Sequence, residues 1–406
     1  MSDFIDEYRL IDRIQDSNIN FLFGSGMSAG YLEILGNIEQ LLTDLNNDET
    51  IENENQRELI RASILNKYFE GVIEKNLNIL DYSHLEPEEI LSIQWTLESY
   101  INFFKTINQL ILSRRNKLLS KQVNIFTTNI DIFLERAIEQ IGLESNDGFG
   151  KGFKPKYDLS NFKKSIFQKS LHFDNSSEIP IFNILKIHGS LTWKSEDKNI
   201  YFDSSLQGIQ KVQKVKRRSL IDVDTSKDNL TSLKAKLPKR IHESNFSRFL
   251  EEYNQLAIVN PTKGKFQQTV LDQKYYDLLR IYANELEKEN TLLFVMGFSF
   301  ADEHIRDLTI RVADSNPTLM IYIFAFDKKS RRRLNCILGL YKDKIKNNNI
   351  KIISPNRIKE EDKYKDEFQY TFDQINERVF KKILEKISKP MTKKIFKATL
   401  EGFGNE

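Results

Sequence analysis

A series of short apolar runs, each ending at glycine or small polar residues, is the feature that most constrains the fold of this chain. Runs of about four to eight residues, rich in β-branched and aromatic side chains, are typical of strands buried on both faces. Most runs are separated by enough chain for a crossover helix, which predicts an α/β fold with a parallel, doubly wound sheet. The predicted strands are residues 19–23, 123–127, 183–188, 256–259, 292–296, 320–326 and 350–354.

A glycine-rich turn follows the first run. It reads Gly-Ser-Gly-Met-Ser-Ala over residues 24–29 and fits G-x-G-x-x-A, one form of the Rossmann-like dinucleotide fingerprint. Gly24 and Gly26 would let the backbone approach a ligand closely, and a helix starting beyond them would direct free N–H groups at a phosphate. The acidic residue that the fingerprint expects after a second strand is missing, so the motif alone is a weak signal.

Polar side chains stand at several other strand ends. Asn129 and Asp131 follow the second run, His188 ends the third, and Asn260 and Asp327 follow later ones. Because parallel strands end at one edge of a sheet, these side chains should line one nucleotide crevice. A histidine, with an ordinary pKa of about 6.5, can accept a proton there at neutral pH. The plainer interpretations are a histidine bonded to a loop, and an Asn or Asp that caps the next helix.

The sequence indicates one large α/β domain with additions. Helical spacing over residues 31–120 predicts an all-helical insertion that serves as a lid, an oligomerisation element or a structural layer. Residues 194–255 contain a Lys-rich stretch without a clear core strand. We expect the domain to span residues 1–355 and a helical tail to follow over 356–406, interrupted at Pro390.

Composition excludes several classes of protein. The formal net charge is +2, from 60 basic and 58 acidic residues, so no overall charge draws the chain to nucleic acid or an anionic membrane. Direct nucleic-acid binding by the Lys-rich stretch is disfavoured because its basic core contains no aromatic side chain for stacking. The single cysteine, Cys336, excludes an internal disulfide and a four-cysteine zinc site. Without a signal peptide or a bilayer-length apolar run, we expect a cytoplasmic protein.

Four motifs, in order along the chain, resemble those of the sirtuin family. Gly-Ser-Gly-Met-Ser (24–28), Thr-Thr-Asn-Ile-Asp (127–131), His-Gly-Ser (188–190) and Gly-Phe-Ser-Phe (297–300) stand at strand ends. They are similar to the sirtuin sequences Gly-Ala-Gly-Ile-Ser, Thr-Gln-Asn-Ile-Asp, His-Gly and Gly-Thr-Ser. The resemblance covers short motifs over roughly residues 20–330.

The resemblance implies a site for NAD+ and assigns roles within it. His188 would be the general base, and Asn129 and Asp131 would complete the catalytic set by holding the nicotinamide-side ribose, a water molecule and the carboxamide. No metal ligand is implied. The residues that the resemblance assigns to binding NAD+ are Gly24, Ser25, Gly26, Ser28, Thr128, Gly189, Asn260, Gly297 and Ser299.

Three departures separate the chain from sirtuin deacylases. No four-cysteine zinc module follows His188, Thr128 replaces the usual glutamine, and a large helical insertion follows the glycine turn. The chain is therefore more similar to the zinc-free sirtuin-like domains of bacterial anti-phage defence. These hydrolyse NAD+, and some act with a hexameric HerA-type ATPase. The resemblance implies an NAD+ glycohydrolase that forms a homo-oligomer with such a partner. A protein deacylase and a non-catalytic NAD+ or ADP-ribose module remain alternatives.

Overall fold

The computed structural model describes residues 7–34, 36–197, 199–217, 219–261, 269–340, 346–355 and 369–388. Within them the strands, numbered in chain order, are β1 (Asn18–Phe23), β2 (Gln122–Thr127), β3 (Ser145–Asn146), β4 (Phe167–Lys169), β5 (Ser176–Glu178), β6 (Ile181–Lys186), β7 (Trp193–Glu196), β8 (Asn199–Phe202), β9 (Thr291–Met296), β10 (Leu319–Phe324) and β11 (Ile350–Ile353).

A seven-stranded sheet forms the centre of the molecule, in the order β11-β10-β9-β1-β2-β6-β3. Its strand pairs are parallel, and β6 and β9 are buried at every position. Strands covered on both faces need continuous apolar runs, which is the pattern in the sequence. The predicted Rossmann-like α/β class with a doubly wound parallel sheet is confirmed.

One predicted strand is wrong. Residues 256–259 make a single isolated bridge, between Ile258 and Gly189. The N–H of Ile258 donates to the carbonyl of Leu256, 2.9 Å away, so the chain turns instead of extending. Leu256, Ala257 and Ile258 are buried and Val259 is partly buried. Burial without strand pairing is enough to account for the apolar run.

Helices lie between and around the strands. They are α1 (Glu7–Asp16), α2 (Ile38–Asn47), α3 (Glu54–Tyr68), α4 (Asn76–Leu80), α5 (Pro87–Leu112), α6 (Phe133–Ile141), α7 (Gln207–Gln213), α8 (Leu230–Ala235), α9 (Ser247–Tyr253), α10 (Thr269–Leu286), α11 (Glu303–Ser315), α12 (Lys328–Ile337), α13 (Phe372–Ile375) and α14 (Lys381–Ser388). π-Helical turns at Phe69–Ile73 and Asn376–Phe380 extend α3 and α13.

The stretch between β1 and β2 is helical, as its spacing predicts. Helices α2 to α5 occupy most of it. The longest, α5, begins with Pro87 in its first turn, where a backbone N–H has no partner within the helix and proline's lack of one costs nothing. Asn53 caps α3 by accepting from the N–H of Asn55. Turns replace helix near both ends of the stretch, at residues 31–34 and 113–121.

Aromatic side chains join α5 and the C-terminal helices to one face of the sheet. The ring of Phe21 lies 5.0 Å from that of Phe103 on α5 and 5.8 Å from that of Phe380. Phe372 of α13 lies 5.9 Å from Phe23 and 5.3 Å from Phe103. These contacts place the described part of the tail, residues 369–388, on the core. Residues 356–368 and Pro390 lie outside the described residues.

A ladder of three asparagines, of which Asn20 and Asn183 are buried and Asn124 is partly buried, fixes the register of three central strands. Asn20, Asn124 and Asn183 are aligned across β1, β2 and β6. The amide of Asn183 donates to Asn124, and the amide of Asn124 donates to Asn20, each over 2.8 Å. A buried amide left without partners would be costly, so the ladder resists a slip of register. The carboxyl ends of the three strands therefore stay level.

The sheet reverses its direction of growth at β1. The chain continues from β1 to β2 and β6 on one side, and later adds β9 and β10 on the other. In open α/β sheets, ligands bind outside the carboxyl ends of the strands at this switch point. The carboxyl ends of β1 and β9 are thus where a ligand site is expected.

The Lys-rich stretch packs against the helical insertion. Lys234 pairs with Asp48 over 2.5 Å, and Arg217 pairs with Glu74 over 3.0 Å. Several of its basic side chains are therefore committed to ion pairs within the chain. No helix among the described residues combines the length and the apolarity needed to cross a membrane.

Candidate active site

Two cavities flank one turn at the carboxyl edge of the sheet. The first, here named the His188 cleft, encloses about 890 Å³, counting space open to solvent. The second, named the Trp95 cavity, encloses about 1350 Å³ on the same basis. Both are lined by Gly297, Phe298 and Ser299, which follow β9. The other residues of the His188 cleft that matter below are Ser25, Ser28, Glu33, Glu39, Tyr68, Thr128, Asn129, Asp131, His188 and Asp302. Those of the Trp95 cavity are Gly26, Trp95, Phe326, Ser330, Arg333 and Tyr370.

The glycine turns after β1 and β9 pack backbone against backbone. The N–H of Gly26 donates to the carbonyl of Gly297 over 3.0 Å. A Cβ added to Gly24 would lie 2.5 Å from that carbonyl oxygen, and Gly297 has a φ of +63°, which disfavours a side chain. Gly24 and Gly297 are therefore required for the contact between turns. The regular helix expected after the first turn is replaced by a 3₁₀ turn at Ser25–Met27.

Asn129 is held beside the first glycine turn. Its side-chain N–H donates to the carbonyl of Gly24 over 3.0 Å, and its backbone N–H donates to the hydroxyl of Thr127 over 2.9 Å. The residue is 7% exposed and lines the His188 cleft. The asparagine is thus fixed to the turn after β1 and to the end of β2, with part of its surface at the cleft.

Asp131 bonds to the start of α6 and also has a place in the cleft wall. One carboxylate oxygen accepts from the N–H of Phe133, the first residue of α6, over 3.1 Å, while Ile132 between them is the N-cap. The other accepts from the hydroxyl of Ser28 over 2.9 Å. The interpretation of this aspartate as the N-cap of α6 is wrong, because Ile132 occupies that position, but its carboxylate does lie in the cleft wall.

Tyr100 connects the helical insertion to this carboxylate. Its hydroxyl lies 2.9 Å from that of Ser28. Burial raises the pKa of Tyr100 well above its ordinary value, and the charge of Asp131 raises it further. Because the hydroxyl of Ser28 donates to Asp131, the proton in the contact between Ser28 and Tyr100 must come from the tyrosine. Helix α5 thereby helps to orient the strand-end residues.

An ion pair between Lys186 and Glu135 supports the loop that carries Asn129 and Asp131. Lys186, 3% exposed in the last position of β6, donates to the backbone carbonyl of Asp131. Its ammonium group also pairs with Glu135 over 3.1 Å. Burial raises the pKa of Glu135, and the charge of Lys186 opposes that rise. The loop that carries Asn129 and Asp131 is therefore held by polar contacts to the turn after β1, to β2, to β6 and to α6.

His188 faces a carboxylate that the sequence motifs had not assigned. Its Nε2 lies 3.1 Å from a carboxylate oxygen of Asp302, which also caps α11 by accepting from His304 and Ile305. The ring of Tyr275 lies 5.9 Å from the imidazole ring. A carboxylate that accepts a hydrogen bond from one ring nitrogen keeps the proton on that nitrogen and leaves the other nitrogen unprotonated.

The structure brings most of the predicted site residues together. Gly26 lines the Trp95 cavity instead of the cleft. Gly24, Gly189 and Asn260 are absent from the described walls of both cavities. A Cβ on Gly189 would lie 2.2 Å from the carbonyl of Ala257, so that glycine serves a turn. The predicted residues that line the His188 cleft are Ser25, Ser28, Thr128, Asn129, Asp131, His188, Gly297 and Ser299.

The wall of the His188 cleft is acidic. It carries four carboxylates, those of Glu33, Glu39, Asp131 and Asp302. The only other ionisable groups among the described wall residues are the imidazole of His188 and the phenol of Tyr68. A wall of this kind favours positive charge on a bound molecule.

Comparison with known families identifies the domain. The sequence profile of the SIR2-like domain matches residues 123–353, more than half of the 406 residues. The chain belongs to the SIR2-like domain family. The matched part of this SIR2-like domain includes Asn129, Asp131, His188 and Asp302, and begins after the helical insertion. A comparison with curated proteins gave no match.

Membership of the SIR2-like family implies the use of NAD+. The geometry fits a dinucleotide, because two cavities meet at the switch point across a glycine turn. Among the described residues, no group of three or more His, Cys, Asp or Glu side chains is arranged to hold a metal ion.

Proposed function

We propose that this SIR2-like protein is an NAD+ glycohydrolase, which cleaves NAD+ to nicotinamide and ADP-ribose. The observation that carries the proposal is the convergence of His188, Asn129 and Asp131 in one acidic cleft at the switch point of the sheet. The nicotinamide riboside part occupies the His188 cleft, and the adenosine part occupies the Trp95 cavity. The diphosphate crosses the shared turn at Gly297 and Ser299.

Cleavage of the glycosidic bond places positive charge on the ribose, and the residues of the cleft meet that need. The carboxylates of the wall favour the growing charge. Asn129 orients the attacking water molecule, since its amide is already fixed to Gly24. His188 accepts the proton that the water loses as it adds to the ribose carbon and nicotinamide leaves. Such fixed positioning can lower a barrier by several kcal/mol.

Asp302 acts in this scheme through the histidine. When Nε2 of His188 donates to Asp302, the lone pair lies on Nδ1, and that nitrogen accepts the proton. The carboxylate also stabilises the imidazolium that forms. Asp302 is therefore a positioning residue, and its place as cap of α11 keeps it still.

We further propose that the activity serves anti-phage defence by NAD+ depletion, in a homo-oligomer that associates with a HerA-type hexameric ATPase. The support is the resemblance of the motifs to zinc-free defence sirtuins, together with the single cysteine of the chain. A four-cysteine zinc module, which deacylases use beside their peptide groove, cannot be built from it. Mass measurement of the chain with and without the ATPase tests the assembly.

The deciding experiment measures release of nicotinamide from NAD+ by the chain alone and with the ATPase. We expect cleavage by the wild type and none by the double variant Asn129→Ala/His188→Ala. A matched control is His172→Ala/Asn175→Ala, which changes the same residue types at exposed positions between β4 and β5. Turnover by the folded double variant at the wild-type rate would overturn the assignment.

A second arm separates hydrolysis from deacylation. NAD+ consumption is measured with and without an acyl-lysine peptide, and zinc is assayed in the purified protein. A hydrolase consumes NAD+ equally in both cases. Consumption that requires the peptide, with one equivalent of zinc, would instead support a deacylase. Tight NAD+ binding without turnover under every partner condition would support a binding module.

A further inference from the structure

The Trp95 cavity differs from the His188 cleft in the charge of its wall. Among the described residues that line it, Arg333 of α12 is the one charged side chain. The guanidinium has no ion pair with any residue in the described ranges. It belongs to the run Lys-Lys-Ser-Arg-Arg-Arg over residues 328–333, in which five of six residues are basic. A cavity with this wall favours an anionic group on its occupant.

The carboxylate nearest in sequence is committed elsewhere. Asp327, three residues beyond β10, accepts from the N–H of Ser330 over 2.6 Å and so caps α12. That hydrogen bond lowers the pKa of Asp327, so it remains a charged cap. Sites selective for NAD+ commonly use a strand-end carboxylate to bind the 2′-hydroxyl of the adenosine ribose, whereas an arginine nearby accommodates a 2′-phosphate.

Aromatic surfaces complete the cavity. Trp95 is 48% exposed and Phe326 is 44% exposed, and both line it together with Tyr370. Exposed aromatic faces that meet in a concave site suit stacking on a flat base. Arg333 then stands in the same wall as the donor for a phosphate.

We propose that the Trp95 cavity binds a 2′-phosphorylated adenosine, so that the protein accepts NADP+ at least as well as NAD+. The proposal rests on the function proposed above. The reaction is the same hydrolysis: water adds to the nicotinamide-side ribose carbon, and the glycosidic C–N bond breaks. Nicotinamide, ADP-ribose 2′-phosphate and one proton are the products, and no oxidant or reductant is consumed.

The test compares the binding of NADP+ and NAD+ to the full chain by calorimetry, alongside turnover of each. We expect NADP+ to bind the wild type at least as tightly as NAD+. Arg333→Ala should weaken the binding of NADP+ about tenfold relative to that of NAD+, because a charge-assisted hydrogen bond to the 2′-phosphate is lost. Arg333→Glu should increase that discrimination. Arg332→Ala removes an exposed charge from the same run outside the cavity wall, and should leave the ratio unchanged.

The outcomes separate the two proposals. Tighter binding of NAD+ than of NADP+ by the wild type, together with cleavage of NAD+, would overturn this inference and leave the glycohydrolase intact. The inference would also be overturned if Arg332→Ala and Arg333→Ala lowered the affinity for NADP+ relative to NAD+ equally. The effect would then come from the general positive charge of the run. Binding of NADP+ with the expected ratio but without turnover would retain this inference and overturn the hydrolase. No binding of either dinucleotide would overturn both.

Discussion

The His188 cleft and the Trp95 cavity share one wall but have opposite chemistry. The cleft carries four carboxylates and an imidazole among its described wall residues, whereas the cavity carries aromatic faces and one guanidinium. The first suits a centre on which positive charge grows, and the second suits a base and a phosphate. The division teaches that reaction and recognition can be assigned to different sides of a single turn. Substitutions in the cleft should then lower kcat, and those in the cavity should raise KM.

The largest effect is expected from the cleft. His188→Ala and Asn129→Ala, made singly, should each lower kcat for nicotinamide release by roughly 1000-fold, the range of general acid–base catalysis. The Kd for NAD+ should change by only a few fold, because the adenosine side is untouched. Steady-state kinetics and calorimetry on the same preparations check this. A parallel rise in Kd would show that the two cavities are not separate in function.

Removal of the charge beside the histidine should have the next largest effect. Asp302→Asn should lower kcat by roughly 10-fold to 100-fold. Its negative charge, 3.1 Å from Nε2, favours the imidazolium form, so its loss should move the acidic limb of the pH profile to lower pH. Asp307→Asn, on the exposed side of α11, is the matched control. An unmoved profile would reduce Asp302 to a helix cap.

Truncation in the cavity should be seen mainly in KM. Trp95→Ala should raise KM for the dinucleotide about tenfold, the loss expected for one stacked base, with a smaller change in kcat. Leu91→Ala on the same helix is the control, since Leu91 is 64% exposed and outside the described cavity wall. A fall in kcat without a change in KM would contradict the division of roles.

The smallest effect concerns a hydroxyl below the cleft. Tyr100→Phe should lower the free energy of unfolding by about 1 kcal/mol, because the buried bond to Ser28 is lost. Tyr253→Phe is the contrasting variant. The hydroxyl of Tyr253 is buried without a hydrogen-bond partner among the described residues, so its removal should be neutral or stabilising. Denaturant melts of the two variants measure the difference.

The sequence was sufficient to predict six of the seven strands of the sheet and several cleft residues that follow them, but not the short edge strand β3. Buried parallel strands leave a local pattern, and their carboxyl ends must meet, so Asn129 and His188 could be placed together in advance. The segment 256–259 shows the limit of this argument. An apolar run reports that side chains are buried, but it does not report whether the backbone pairs with a neighbour.

Contacts between distant residues could not be predicted in this way. Asp302 meets His188 across 114 positions, and Tyr100 meets Ser28 across 72. The only local signal of Asp302 was its position, two residues after the end of the Gly-Phe-Ser-Phe motif and immediately before α11. The Trp95 cavity depends on how α5, α12 and the C-terminal helices pack together, and single-element patterns carry no such information.

The interlocked glycine turns have a consequence for the length of molecule that can be processed. The backbones of Gly24 and Gly297 are in contact. The wall shared by the His188 cleft and the Trp95 cavity therefore cannot move without breaking that contact. Under the proposed function, the distance between the glycosidic bond that is cleaved and the binding site of the adenine base is therefore fixed. A mononucleotide that carries the same scissile bond would reach only the acidic side, and it would lack the anchor that holds a full dinucleotide in place.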